Sequence, residues 1–213
     1  MKNFQEALNS RFACKLYDEH KKISDDDFDS ILEAGRLAPS SFGLEHTHFL
    51  VIQNKKLKEI MSPAVFKQPQ VTTCSHFVVL LSKKPEFFTK DSKYLDEAFR
   101  RITKEDEKKL QTIKDNFLNF SENVLKPDLT NWSKMQSYLA GANMMNMAAA
   151  LDINSCPIEG FSYDELLKLL VENISCFDIK SYNISFCISF GYGLSQKSEK
   201  IRWPLDKLVT FIK

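Results

Sequence analysis

The stretch from Trp132 to Leu151 constrains this chain more than any other. Leu139, Met144, Met147 and the run Ala148 to Ala150 leave it apolar nearly all round, so it predicts one long helix with no clear solvent face. A helix of that kind has to be covered, either inside a core or between two copies of the chain. Its methionines read as packing rather than as a sulfur ligand set, because Met fills irregular gaps and no other soft ligand is spaced with them.

A core able to enclose such a helix needs a chain of some size. With 213 residues, 43% hydrophobic residues and 17 Phe, the sequence can build one sizeable domain spanning residues 1–213. Only 6 Gly and 7 Pro, with no repeat or low-complexity run, argue against linkers and disorder. The net charge of +1 leaves no broad basic face, which excludes nucleic acid and an anionic membrane surface as expected partners. The five cysteines are odd in number and widely spread, with no Cys-x-x-Cys and no spaced His. That pattern predicts neither a disulfide framework nor a metal site and suits a reducing, cytoplasmic setting. No apolar leader opens the chain and no run reaches membrane-spanning length, so the expectation is a soluble, unsecreted protein.

Along the chain, Phe4, Ala7 and Leu8 recur at helical spacing. Ser24 to Asp27 fits a capping box, and a helix runs from Phe28 to about Leu37 before Pro39 stops it. The turn Pro39-Ser40-Ser41-Phe42-Gly43 carries two hydroxyls that either bond a ligand or satisfy the end of the preceding helix. Strands are predicted at Thr47 to Ile52, His76 to Leu81, Asn183 to Phe190 and in the tail, Leu208 to Ile212, which should pair with something. Further helices are predicted around Leu57 to Met61, in the charged region Tyr94 to Val124, and through Leu166 to Leu170 after a second capping box, Ser162 to Glu165. Pro157 to Phe161, after Cys156, reads as a turn. Helices interleaved with four short strands give an α+β or α/β chain with one sheet covered by helices.

Two pairs of cations stand near opposite ends of the chain, each among apolar residues: Arg11 and Lys15 in Arg-Phe-Ala-Cys-Lys, and Lys200 and Arg202 beside Ile201 and Trp203. Either pair alone could be a solvated surface. Together they suggest one anionic ligand gripped from both sides, and a phosphorylated cofactor suits an Arg fork and a Lys point charge.

These pieces, with the helix ending Ala38-Pro39-Ser40-Ser41, the loop Phe66 to Gln70, the turn Pro157-Ile158-Glu159-Gly160-Phe161 and the late Lys200-x-Arg202, resemble the FMN-dependent nitroreductase family, of the oxygen-insensitive bacterial type. The resemblance covers nearly the whole length. It implies an α+β fold with a central, mostly antiparallel sheet flanked by helices, assembled as an intertwined homodimer. By resemblance, Arg11, Lys200 and Arg202 hold the FMN phosphate with the backbones of Phe12 and Ala13, and Lys15 lies near the N1 and O2 edge of the flavin, where a fixed cation favours the reduced ring. The same resemblance puts Pro157, Ile158, Glu159 and Gly160 against one flavin face, with the Glu159 and Gly160 N–H groups aimed at N5, and Lys67 and Gln70 at the pyrimidine edge. Pro39, Ser40 and Ser41 come from the other subunit, and the tail strand near Phe211 extends the partner's sheet. Phe117 or Phe120 gates the substrate pocket. No residue acts as a catalytic acid, since the flavin carries the chemistry. The implied activity is a ping-pong reduction, with NAD(P)H as transient donor and a small nitroaromatic or quinone as acceptor. Free-flavin, enone or dehalogenating reduction on the same scaffold, or a non-enzymatic flavin-binding protein, are the alternatives. The chain departs from the family pattern at Gly43, Glu45, His46 and Thr47. There Glu45 adds a negative charge near the anionic cofactor, which His46 or His48 is expected to offset.

Overall fold

A computed structural model of the protein describes residues 1–194, 197 and 199–213. Helix α1 (Phe4–Ser10) starts from a reciprocal cap, in which Asn3 accepts from the Glu6 N–H and the Glu6 carboxylate accepts from the Asn3 N–H. Helix α2 (Asp25–Arg36) starts where the Ser24 hydroxyl accepts from the Asp27 N–H, and three aspartates in its first turn complement the positive end of its dipole. Strand β1 (Thr47–Ile52), helix α3 (Lys55–Met61), the short helix α4 (Pro69–Thr73) and strand β2 (His76–Lys83) follow. The charged region folds as α5 (Lys93–Thr103) and α6 (Glu107–Phe120), and the long apolar helix is α7 (Leu129–Ala150). Strand β3 (Asn154–Ile158), helix α8 (Tyr163–Asn173) and strand β4 (Tyr182–Gly191) complete the regular elements.

The four strands form one sheet in the order β1-β2-β4-β3, and every neighbouring pair is antiparallel. Of the two architectures left open by the residues, α+β is therefore the one adopted. Both faces of the sheet are covered. One carries Phe77, Val79, Leu81 and Cys187 beneath α3, α4 and α8; the other carries Val78, Leu80, Phe186 and Ile188 beneath α2 and α7. A bulge where Leu80 pairs with Phe186 but Leu81 pairs with Ile184 adds one residue to β4. It sends Ile184 and Phe186 to opposite faces although they are two residues apart, since one extra residue reverses the alternation.

Three expectations change. Pro157 and Ile158 belong to strand β3 and not to a turn. Pro157 lacks an N–H, but β3 is an edge strand, where the missing donor can face away from the ladder. Ser162 starts α8 without a side-chain capping bond, so the second capping box is not formed. The tail, Leu208 to Ile212, makes no strand within its own chain and is exposed.

Helix α7 buries Trp132, Ala140, Met144 and Ala148 but exposes Met135, Tyr138 and Leu139. Gly141 lets it lie close on β4: a Cβ there would stand 2.4 Å from Phe186 Cζ. A mid-helix glycine costs roughly 0.5–1 kcal/mol against alanine, and here the close approach offsets that cost. No helix of the described residues is long and apolar enough to cross a membrane.

Candidate functional site

The Arg11 to Lys15 segment is held to the edge of the sheet by a parallel bridge between Ala13 and Ser155, in which the Cys14 N–H donates to the Ser155 carbonyl at 3.1 Å. Two residues on, Tyr17 bridges Gly193, the Leu194 N–H donates to the Leu16 carbonyl at 2.9 Å, and the Gly193 N–H donates to Asn154 Oδ1 at 2.8 Å. Gly193 is required for this closeness, because a Cβ would stand 2.6 Å from Cys14 Sγ. The chain leaving β4 is thereby turned back along Arg11 to Tyr17, and Lys200 arrives with its ammonium donating to the Arg11 carbonyl at 2.7 Å. The two ends of the sequence meet, as the paired cations suggested.

Among the described residues no carboxylate pairs with Arg11, Lys200 or Arg202. Burial, then the like charges of Arg11, Arg202 and Lys197, push the Lys200 ammonium below its ordinary pKa. Beside Arg11 lies a small hollow of about 40 Å³ lined by Ser10, Phe12, Asn154 and Ser155, with Asp152 tied off by Lys2. Cations close together and, among the described residues, not paired to a carboxylate suit a phosphorylated ligand. Arg202 is exposed and turns its guanidinium onto the Ile201 carbonyl at 2.6 Å.

Lys15 is exposed, and its ammonium donates to Cys156 Sγ at 3.3 Å, which places a cation against the middle of β3, two residues before the strand ends. Burial raises the Cys156 pKa and Lys15 opposes that rise. In Pro157-Ile158-Glu159-Gly160 the side chains divide: Ile158 points into the core, while Pro157, Glu159 and Gly160 are exposed. Glu159 Oε1 accepts from the Tyr138 hydroxyl at 2.8 Å, and the Gly160 carbonyl accepts from Gln68 Nε2 at 2.7 Å.

Gln68 connects this turn to the loop before α4. Its Nε2 also donates to the Val65 carbonyl at 3.1 Å, and its Oε1 accepts from Gln70 Nε2 at 2.8 Å. Gln70 is therefore buried, with its amide turned to Gln68, while Lys67 is exposed. Phe66 and Lys67 both have left-handed backbones, φ 55° and 51°. That conformation costs roughly 1–2 kcal/mol for each non-glycine residue, so the loop is held in a strained shape by its surroundings. Neither Gln68 nor Tyr138 was expected at the site. Gln68 lies between two expected residues, but nothing in the sequence ties Tyr138 to Glu159.

The serine turn stands elsewhere. Ser40 Oγ accepts from the Glu45 N–H at 3.0 Å, and the Ser41 N–H donates to Gln136 Oε1 at 3.0 Å. Pro39 and Ser40 line a separate hollow of about 100 Å³ with Arg36, Glu45 and Gln136, which shares no residue with the one at Arg11. The Glu45 carboxylate is matched by Arg101 at 2.7 Å, and not by a histidine. His46 is buried, stacked on Trp132 at 4.8 Å, and desolvation lowers its pKa to about 4, so it stays neutral. His48 stacks on Phe177 at 4.0 Å, and burial lowers its pKa also.

Phe117 is no gate. It is fully buried among Phe88, Phe99 and Trp132, because its helical period turns it into the core that closes α5 and α6 onto α7. Phe120, half-buried and 5.6 Å from Phe42, remains at the rim.

Known proteins share this fold. The sequence model of the nitroreductase family matches residues 8–192. A provisionally named NAD(P)H nitroreductase of Staphylococcus haemolyticus is 40% identical over 211 residues, covering 97% of this chain and 95% of its own. The crystal structure of a provisionally assigned NAD(P)H:FMN oxidoreductase from Staphylococcus epidermidis superposes with a TM-score of 0.83 at 22% identity, over 100% of this chain and 97% of that one. A provisionally assigned nitroreductase from Exiguobacterium sibiricum, solved in complex with FMN, superposes with a TM-score of 0.78 at 25% identity, over 100% and 98% of the two chains. With the antiparallel sheet, the joined chain ends and the family match spanning most of the sequence, the chain belongs to the nitroreductase family and is an oxidoreductase.

Proposed function

We propose that the protein is a homodimeric, FMN-dependent NAD(P)H oxidoreductase of the cytoplasm, a single domain over residues 1–213 that reduces nitroaromatics or quinones by two-electron ping-pong transfer. The observation that carries this reading is the cluster of Arg11 and Lys200, joined through the Arg11 carbonyl, lacking a carboxylate partner among the described residues and lying on the sheet edge that leads to Glu159 and Gly160. Support comes also from the FMN-bound relative and from the donor named in the relatives' descriptions.

In this reading Arg11 and Lys200, joined by Arg202, neutralise the FMN phosphate, with the Phe12 and Ala13 backbones beside them. FMN held there would supply the redox chemistry, hydride acceptance from NAD(P)H and two-electron reduction of the acceptor. Lys15 provides a fixed positive charge near the ring, which favours the reduced form electrostatically. The Pro157 to Gly160 turn covers one face through its backbone. Within the chain itself, a Cβ at Gly160 would meet only ordinary contacts, the nearest 3.5 Å from Gln68 Nε2, so room for close approach is left on the ligand side. Lys67 and Gln70 flank the pyrimidine edge, Gln70 acting through Gln68, and Phe120 borders the acceptor pocket. Pro39, Ser40 and Ser41 serve the partner's site, which accounts for their separate hollow. The exposed side chains Met135, Tyr138 and Leu139 of α7 and the apolar tail form the subunit contact.

An anaerobic absorbance titration tests the reading. The purified protein should show a flavin band that bleaches with NADPH or NADH and returns on adding a nitroaromatic or quinone. A colourless protein that takes up no added FMN would refute it.

A further inference from the structure

The turn at Glu159 and Gly160 is held from two sides by residues that belong to neither the cation cluster nor the serine loop. From α7, the Tyr138 hydroxyl donates to Glu159 Oε1 at 2.8 Å, and the Tyr138 ring lies stacked on buried Phe186 at 4.4 Å. That placement depends on Gly141, which lets α7 approach β4 at Phe186. From the loop before α4, Gln68 Nε2 donates to the Gly160 carbonyl at 2.7 Å, and the Gln68 side chain is itself fixed by Gln70 at 2.8 Å. The Glu159 carbonyl accepts from the Phe161 N–H at 3.1 Å. Both carbonyls and the one carboxylate of the pair thus have partners.

The two N–H groups do not. Among the described residues neither the Glu159 nor the Gly160 N–H has a side-chain or loop acceptor. Pro157 has no N–H, which sets the hydrogen-bonded positions of β3 against β4 at Cys156 and Ile158, so Glu159 falls beyond the last ladder bond. Two successive unspent donors on an immobilised backbone make a site preorganised for an acceptor, because no reorganisation remains to be made when the acceptor arrives.

We propose that Tyr138 and Gln68 are positioning residues that clamp the Glu159–Gly160 turn and keep its two backbone N–H groups aligned to donate to the bound cofactor. This rests on the FMN reading above. Tyr138 has a second effect: it ties the Glu159 carboxylate back toward α7, away from a ring that gains negative charge on reduction. The phenol pays for its place by a pKa raised to about 12, through burial and the neighbouring carboxylate.

The test uses the full chain with Tyr138→Phe and Gln68→Leu. Tyr138→Phe keeps the ring on Phe186, and thermal melts of both apo variants establish folding. Hydrogen–deuterium exchange on the apo proteins reads the clamp without any cofactor: exchange of the two bonded amides that flank the pair, Ile158 and Phe161, should rise about fivefold in each variant, the scale of one lost hydrogen bond, while exchange in β2 stays unchanged. With FMN, each variant should bind about fivefold more weakly, and the midpoint potential of the bound flavin should fall in Tyr138→Phe, a change that a purely structural role would not produce. Wild-type protein that takes up no FMN would overturn the cofactor reading and this inference with it. Wild-type binding with unchanged exchange, affinity and potential in both variants would overturn the clamp alone.

Discussion

The Glu159–Gly160 turn and the chain's last dozen residues are both exposed, yet they differ in how the molecule treats them. The turn is fastened by Tyr138, Gln68 and the end of β3. The tail displays Trp203, Phe211 and Ile212 at 73%, 82% and 91% exposure with no strand partner within the chain. Several large apolar side chains left together in water are unfavourable and mark a contact surface. The difference teaches that the turn is fastened within a single chain, while the tail leaves an apolar surface uncovered; in the homodimer reading, its copy covers it.

Ending the chain at Arg202 breaks the comparison most severely. Sedimentation should then show a monomer where the full chain is a dimer, with bound FMN lost and the far-ultraviolet dichroism retained. A truncated chain that stays dimeric would show that the tail is not the contact. Arg11→Ala leaves the tail intact: losing a charge-assisted contact of about 1.5–3 kcal/mol should raise the FMN dissociation constant ten- to a hundredfold, as read by fluorescence titration, with dimerisation unaltered. Gly141→Ala disturbs α7, since its methyl would collide with Phe186. Chemical denaturation should show a loss of about 1–3 kcal/mol from overpacking, and exchange at Ile158 and Phe161 should rise because Tyr138 rides on the same helix.

The smallest effect appears only with pH. His46 has a folded pKa of about 4 against 6.5 for the free side chain, so below pH 6.5 the unfolded chain binds the proton that the folded chain refuses. Its contribution is present above pH 6.5 and is lost as pH falls toward 4. Between pH 7.5 and 5 the loss should be about 2 kcal/mol. Denaturation of His46→Phe at both pH values should show a shallower decline than the wild type, and equal slopes would mean that the imidazole is not held neutral.

Much of this was legible in the residues because it is local. Helix α2 follows from a serine cap, an acidic first turn and apolar spacing, and α7 from apolar residues spread nearly all round it. The cation pairs could be read as one site because residue type alone sets their chemistry. Strand β3 was hidden by Pro157, whose usual disruption vanishes at a sheet edge. Phe117 and Phe120, three residues apart, looked equivalent as gates, and only the packing of α6 sends one into the core and leaves the other at the rim. For Glu45, composition pointed to the adjacent histidines, whereas the cation that meets it, Arg101, comes from α5.

By itself the sequence determined most of the helices, three of the four strands and the family, since periodicity and capping reside in neighbouring residues. The tertiary structure decided which of those residues meet. Lys200 reaches Arg11 across 189 positions, and Tyr138 reaches Glu159 from a different element. Such encounters depend on sheet order and on two close approaches at Gly141 and Gly193, where steric fit between distant segments, and no local preference, sets the geometry.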